Sequence, residues 1–258
     1  MILLCDLDGV VWLAHEPISG SVESLGRWLG AGHEVVFVTN NSSARIAEQE
    51  GFLSDLGIDA RGRVVSSATA TGRLVTAGER VLVVGGGGIV EAVENSHAVA
   101  LSQVALGDAV DAVVAGIDRE FTYEKLATAS AAVRGGARLI ATNHDPTYPT
   151  PRGLTPGGGA IVAAVAYASE TEPIYAGKPH RTMFETAINK AELLTGRAVR
   201  NDDVVVVGDR IDSDGVFARN AGVRFCHVRS GVDRGDGIAE SYDDLRCVIT
   251  QLLERSDG

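Results

Sequence analysis

Seven short apolar runs, at 2–5, 35–38, 81–84, 110–114, 138–141, 204–207 and 225–228, punctuate the chain. They are too brief for helices and mostly β-branched, so they read as strands buried on both faces of a parallel sheet. Between them, segments such as 43–56, 123–134 and 182–194 carry apolar residues three and four apart, the spacing of one helix face. Repeated alternation of the two patterns predicts an α/β fold. Two features set the middle of the chain apart: a glycine run at 85–88 that closes a strand, and a Pro/Gly-rich loop at 146–159. They predict a second α/β domain at 79–173, inserted into a first domain made of 1–78 and 174–258. There is no sustained repeat or low-complexity tail, and 255–258 reads as a frayed end.

Composition narrows the classes. A chain of 258 residues with 45% hydrophobic content can bury one large core or two smaller ones. The 34 acidic against 23 basic residues give a net charge of -11, which disfavours a nucleic-acid partner but leaves small phosphates open. The first residues, Met1 to Asp6, lack a basic stretch and do not read as a signal peptide. The longest apolar stretch, 160–168, is far short of the ~20 residues that span a bilayer, so no membrane partner is expected. Cys5, Cys226 and Cys247 form no C-x-x-C pair; they read as buried apolar thiols in a reducing, cytoplasmic setting.

Three of the apolar runs lead straight into polar clusters: Asp6 and Asp8 with Gly9, then Thr39, Asn40, Asn41 and Ser42, then Asp209, Asp212 and Asp214. Strand ends near a switch point of a parallel sheet form the ligand crevice, so the three clusters are candidates to converge. Asp is depleted in strands and costly to bury unpaired, which makes Asp6 and Asp8 hard to explain by packing, although Asp8-Gly9 alone is also an ordinary turn signal. With Asp209 they offer oxygen donors only, a set suited to Mg²⁺ rather than zinc. None of the six histidines has metal-ligand spacing. Thr39 and Asn40 precede a helix expected to begin near Ser43, and a helix N-terminus can hold an anion. Ser42 and Ser43 read more simply as caps of that helix. Lys178, in a short loop before the helix expected at Thr182, is placed to neutralise a phosphoryl oxygen, although a solitary lysine is commonly just surface.

The segments DLDGVV at 6–11, VTNNS at 38–42, AGKP at 176–179 and VGDRIDSD at 207–214 resemble the four ordered motifs of the haloacid dehalogenase-like phosphatases. TNHDPTYPTPRGLTPGGG at 142–159 is similar to the cap signature of their class IIA branch, which includes NagD-type, p-nitrophenyl phosphate and phosphoglycolate phosphatases. The resemblance implies a Rossmann-like three-layer core with an inserted α/β cap of the C2 type. It implies that Asp6 is the nucleophile and forms an aspartyl-phosphate, and that Asp8 is the acid and base. Mg²⁺ would be held by Asp6, the main-chain carbonyl of Asp8 and Asp209, with Asp214 reaching it through water or orienting Lys178. Thr39, Asn40, Asn41 and Lys178 would bind phosphoryl oxygens, while Asn143, His144 and Asp145 of the cap would fix the loop or face the substrate. The partner implied is a small phosphate ester, and a homodimer through the cap is compatible with the family. Gly215 departs from the family pattern and is expected to loosen the loop carrying Asp214.

Two other activities fit parts of the chain. A phosphotransferase or mutase on the same scaffold would share every motif. A dinucleotide-binding oxidoreductase would use the strand 81–84 and its glycines, but G-x-G-x-x-G fails because Val90 and Glu91 stand where the third glycine belongs. A tight turn is the simpler reading of that run.

Overall fold

The computed structural model describes residues 1–13, 16–150, 153–235 and 237–256. The readings that fall on His15, on Pro151 and Arg152 within the cap signature, and on Asp257 and Gly258 lie outside the described residues.

Two compact units divide the chain: 1–39, 47–65 and 178–258 form one, and 40–46 with 66–177 the other. The second unit also holds the helix Ser67–Gly72, which packs Ala68 into the same cluster as Val81, Val83, Ile89 and Val93. It runs on to 177 because the strand Ile174–Tyr175 pairs with Arg138–Ala141.

In the first unit a six-stranded sheet runs Ser241–Tyr242, Arg224–Val228, Val204–Gly208, Ile2–Cys5, Glu34–Thr39, Val64–Ser66. Counted along the chain, this is the 3-2-1-4-5-6 order of dinucleotide-type doubly wound sheets. Ile2 sits parallel between Val204 and Glu34, so the order reverses at the strand Ile2–Cys5. Every side chain of Ile2–Cys5 and Val204–Gly208 is buried, which is what continuous β-branched runs require when helices cover both faces. The helix Arg181–Thr195 stops at Gly196, whose left-handed φ of 68° suits a residue without Cβ.

The second unit carries a five-stranded parallel sheet in the order Ile174–Tyr175, Arg138–Ala141, Ala112–Ala115, Arg80–Val84, Val99–Leu101. This is the 2-1-3-4-5 order, with its reversal at Arg80–Val84. Two apolar clusters flank the sheet, one around Val81, Val83 and Ile89 and the other around Leu82, Leu139, Val162 and Val165.

Several local expectations are corrected. The stretch at 146–159 contains an antiparallel hairpin, Thr147–Thr150 with Gly153–Pro156, and then opens the helix Gly158–Ser169. The glycine run is not a bare turn, since Gly87 begins the helix Gly87–Asn95. The helix expected near Ser43 starts at Ile46, whose N–H donates to the Glu91 carboxylate at 2.9 Å and so is taken up within the chain. The last helix continues to Ser256 rather than fraying at 255. Gly215 does not loosen its loop: it is helical, with φ -65° and ψ -43°, and its N–H reaches the Arg210 carbonyl at 3.1 Å. Cys5 and Cys226 are buried, but Cys247 is partly exposed. Among the described residues no helix is long and apolar enough to cross a membrane.

Candidate active site

Asp6 and Asp209 follow the two neighbouring strands Ile2–Cys5 and Val204–Gly208, at the carboxyl edge where the order reverses. The Asp6 N–H still donates to the Val207 carbonyl at 2.9 Å, so the sheet ladder fixes its backbone. Lys178 is 3% exposed and donates from Nζ to Asp6 Oδ1 at 2.7 Å and to Asp214 Oδ1 at 2.6 Å. Asp214 is also tied from behind, its Oδ2 accepting from the Arg210 N–H at 3.2 Å. Its tuck under the strand end requires a glycine, because a Cβ on Gly208 would lie 2.2 Å from Asp214 Cγ.

Asp209 is held differently, by a loop that motif reading overlooked. The Val232 N–H donates to Asp209 Oδ2 at 2.7 Å, and Asp233 closes the loop by accepting from the Ile211 N–H at 2.7 Å. Ser230 Oγ donates to the Gly9 carbonyl at 2.7 Å. A Cβ on Gly231 would lie 2.0 Å from Asp209 Oδ2, and one on Gly9, at φ +83°, 2.4 Å from the same oxygen. The signal available in the sequence was Ser230-Gly231 shortly after a fourth apolar strand. Behind Asp209, the buried His227 sets Nε2 3.3 Å from the Asp209 carbonyl and Nδ1 2.9 Å from Ser241 Oγ.

One oxygen of each of Asp6, Asp209 and Asp214 lies within 4.8 Å of the others. Three carboxylates therefore cluster around one ammonium that bonds two of them, Asp6 and Asp214. Burial pushes the Asp6 carboxyl well above the ordinary range, against the pull of Lys178. Burial first and the Asp214 charge second push Asp209 up to about 7, with the Val232 N–H opposing them. Burial works against the Lys178 ammonium, but Asp214 and Asp6 outweigh it and raise its pKa. Asp209 Oδ1 is buried and has no hydrogen-bond partner among the described residues. A buried carboxylate oxygen left unsatisfied is costly, and a cation at that oxygen removes the cost. Oxygen-only donors in a charge-deficient cluster fit Mg²⁺.

The remaining residues singled out from sequence fall in two groups. Asp8 stays out of the carboxylate cluster: its Oδ1 accepts from Trp12 Nε1 at 3.1 Å. Thr39 ends its strand in the first unit and is buried. The second unit contains Asn40, whose Nδ2 donates to Asp145 Oδ2 at 2.9 Å and whose carbonyl accepts from Asn143 Nδ2 and Ser67 Oγ, each at 2.8 Å. Asn143 also accepts from the Asp145 N–H, so these residues lock one another. Asn41 Oδ1 accepts from Ser43, and His144 is exposed, with its ring edge-on to Tyr175 at 5.9 Å.

The glycine run beside the second sheet's reversal is occupied by the chain itself. The Gly88 N–H donates to the Ser43 carbonyl at 3.1 Å. Cβ atoms on Gly86 and Gly88 would lie 2.4 Å from the Ser43 carbonyl oxygen and 2.3 Å from that of Ala44. Where a dinucleotide pyrophosphate would approach a glycine-rich turn, residues 42–44 already sit.

With a doubly wound core and a lysine among three acids at its switch point, the chain belongs to the haloacid dehalogenase-like hydrolases. Family models for haloacid dehalogenase-like hydrolases and for HAD-hydrolase-like proteins match residues 3–98 and 175–254. It is similar to the acid sugar phosphatase of Staphylococcus saprophyticus, at 33% identity over 96% of each chain. It is 39% identical to the D-glycerol 3-phosphate phosphatase of Mycobacterium tuberculosis, over 90% of this chain and 63% of that one. The crystal structure of the glycerol phosphate phosphatase from Mycobacterium tuberculosis in complex with magnesium superposes with a TM-score of 0.83, at 35% identity over 95% of this chain and 76% of that one.

Proposed function

We propose that this chain is a Mg²⁺-dependent phosphatase of small phosphomonoesters that works through a phosphorylated Asp6. The observation that carries the reading is a buried lysine bonded to two of three clustered carboxylates, the third of which keeps a partnerless oxygen. Asp6 and Asp209 would hold the cation, with the main-chain carbonyl of Asp8. Bound there, Mg²⁺ supplies charge that screens the repulsion between a carboxylate nucleophile and a phosphate dianion.

The protein's own groups do the rest. Lys178 draws charge from the phosphoryl oxygens while Asp214 fixes its ammonium, and Thr39 adds a donor for the same oxygens. An Asp6 oxygen attacks phosphorus, and Asp8 protonates the departing ester oxygen. Asp8 then takes a proton from the water that releases phosphate from Asp6. Both oxygens of Asp214 are already engaged, which favours its role as the orienter of Lys178 over direct ligation. The second unit takes the role of specificity domain, and the mutual lock of Asn40, Asn143 and Asp145 favours loop fixing over ligand contact for the last two. A cytoplasmic location agrees with three free cysteines.

The test is phosphate release from a panel of metabolite esters with and without Mg²⁺, beginning with the sugar phosphates and glycerol phosphate that the relatives' names point to. Turnover with water as the only acceptor, lost in folded Asp6→Asn and on chelation, is the expected result. Undiminished turnover in Asp6→Asn refutes the mechanism, and a strict requirement for an acceptor alcohol favours phosphotransfer.

A further inference from the structure

We infer that Trp12 is a positioning residue for proton transfer, its indole N–H fixing which oxygen of Asp8 exchanges the proton with the leaving group. The inference rests on the reading of Asp8 as acid and base. Trp12 is 3% exposed, and its Nε1 donates to Asp8 Oδ1 at 3.1 Å. The pairing is built by a closed turn in which the Gly9 N–H donates to the Trp12 carbonyl at 2.7 Å and the Trp12 N–H to the Leu7 carbonyl at 3.2 Å. Gly9, at φ +83°, permits the reversal that brings residue 12 back beside residue 8. Strand pairing of Trp12–Leu13 with Glu16–Pro17 anchors the far side of the turn.

An indole nitrogen donates and never accepts. It therefore stays bonded to a lone pair on Oδ1, and the better acceptor of the two oxygens in a protonated carboxyl is the one without hydrogen. The acid form of Asp8 accordingly carries its proton on Oδ2. In the first half-reaction an Asp6 oxygen bonds to phosphorus as the bond from phosphorus to the ester oxygen breaks, and the electron pair left on that oxygen takes up the Oδ2 proton. In the second, Oδ2 takes a proton from water as the water oxygen bonds to phosphorus and the bond from phosphorus to Asp6 breaks. A neutral donor suits a group that must alternate between acid and base, because it orients the carboxyl without holding it permanently ionised.

Such a role has a readout that packing does not. Trp12→Phe keeps ring bulk and removes the donor. An alkyl phosphate needs protonation of its leaving oxygen far more than p-nitrophenyl phosphate, whose phenolate departs unaided. Positioned general acid catalysis contributes about 10²–10⁴-fold, so loss of its orientation is expected to lower the ratio of kcat/KM on glycerol phosphate to kcat/KM on p-nitrophenyl phosphate, which reads the first half-reaction alone, about tenfold. Trp28→Phe is the control: that indole donates to the Glu34 carbonyl at 2.9 Å, so the variant should change stability and leave the ratio alone. An unchanged ratio in Trp12→Phe overturns the role. Should Trp12→Phe not fold, the contact is read from the other side: the protein has two tryptophans, and Asp8→Asn in ¹⁵N-labelled protein should move the Trp12 indole resonance and spare that of Trp28. No movement overturns the inference. Failure of the underlying reading shows separately, as absence of phosphate release in the unsubstituted protein, and overturns both.

Discussion

Lys178→Met removes the one ammonium that Asp6 and Asp214 share while keeping most of the side-chain volume. Both contacts are under 3 Å and all three side chains are 10% exposed or less. At an effective dielectric of about 20, each contact corresponds to roughly 6 kcal/mol of Coulomb attraction. Desolvation of the lysine offsets much of this, and breaking a buried pair by deleting one partner costs about 3–5 kcal/mol net. The sign of the pH dependence follows from the carboxyls left behind. Burial already raises Asp6, and without Lys178 its folded-state pKa rises further above the unfolded value. A carboxyl raised in this way binds its proton on folding, so the penalty is small in acid and grows as pH rises through the folded pKa, by at most about 1.4 kcal/mol per unit for one carboxyl. Urea unfolding of the variant and its parent, in chelator at several values between pH 5 and pH 8, measures the difference. A variant as stable as its parent at pH 8, or a penalty that does not shrink toward pH 5, would refute the account.

Gly231→Ala places a methyl where Asp209 Oδ2 now sits, 2.0 Å from the ideal Cβ. Crowding should cost about 1–3 kcal/mol, and melting curves with and without Mg²⁺ should show a smaller metal-induced rise than in the parent; an undiminished rise would mean the loop does not set the Asp209 geometry. Gly88→Ala meets the Ala44 carbonyl oxygen at 2.3 Å and the Ser42 carbonyl oxygen at 2.7 Å, so it should lower the melting temperature by a similar free energy. A parent protein melted with NAD should show no shift, and a clear shift would reopen the dinucleotide reading.

The central strands were legible because burial on both faces demands continuous apolar runs, as in Ile2–Cys5 and Arg138–Ala141. The edge strands Val64–Ser66, Val99–Leu101, Ile174–Tyr175 and Ser241–Tyr242 were not, since two or three residues are too few to show a periodicity. The site divides along a similar line. The roles proposed for Asp6, Lys178, Asp209 and Asp214 use side chains of distinctive type, and motif spacing brings them forward. The Ser230 to Asp233 loop works mainly through a main-chain N–H and a missing Cβ, to which residue chemistry is nearly blind. Trp12 stood inside a recognised motif, but only coordinates show its indole turned toward Asp8.

The two sheets also show why strand order alone does not name a ligand. Each reverses its order, and each presents polar groups or glycines just beyond the reversal. In the first unit, the space beyond Ile2–Cys5 and Val204–Gly208 is lined by carboxylates that leave one oxygen unsatisfied, a cost that a bound cation would remove. In the second, the glycines beyond Arg80–Val84 are met by carbonyls of residues 43 and 44 and the Gly88 N–H already has its acceptor, so packing accounts for them. The separating criterion is the charge left over: among the described residues the second unit keeps only the neutral Ser42 hydroxyl without a partner beside its glycine run, whereas the first keeps a buried carboxylate oxygen, whose far higher desolvation cost marks the candidate site.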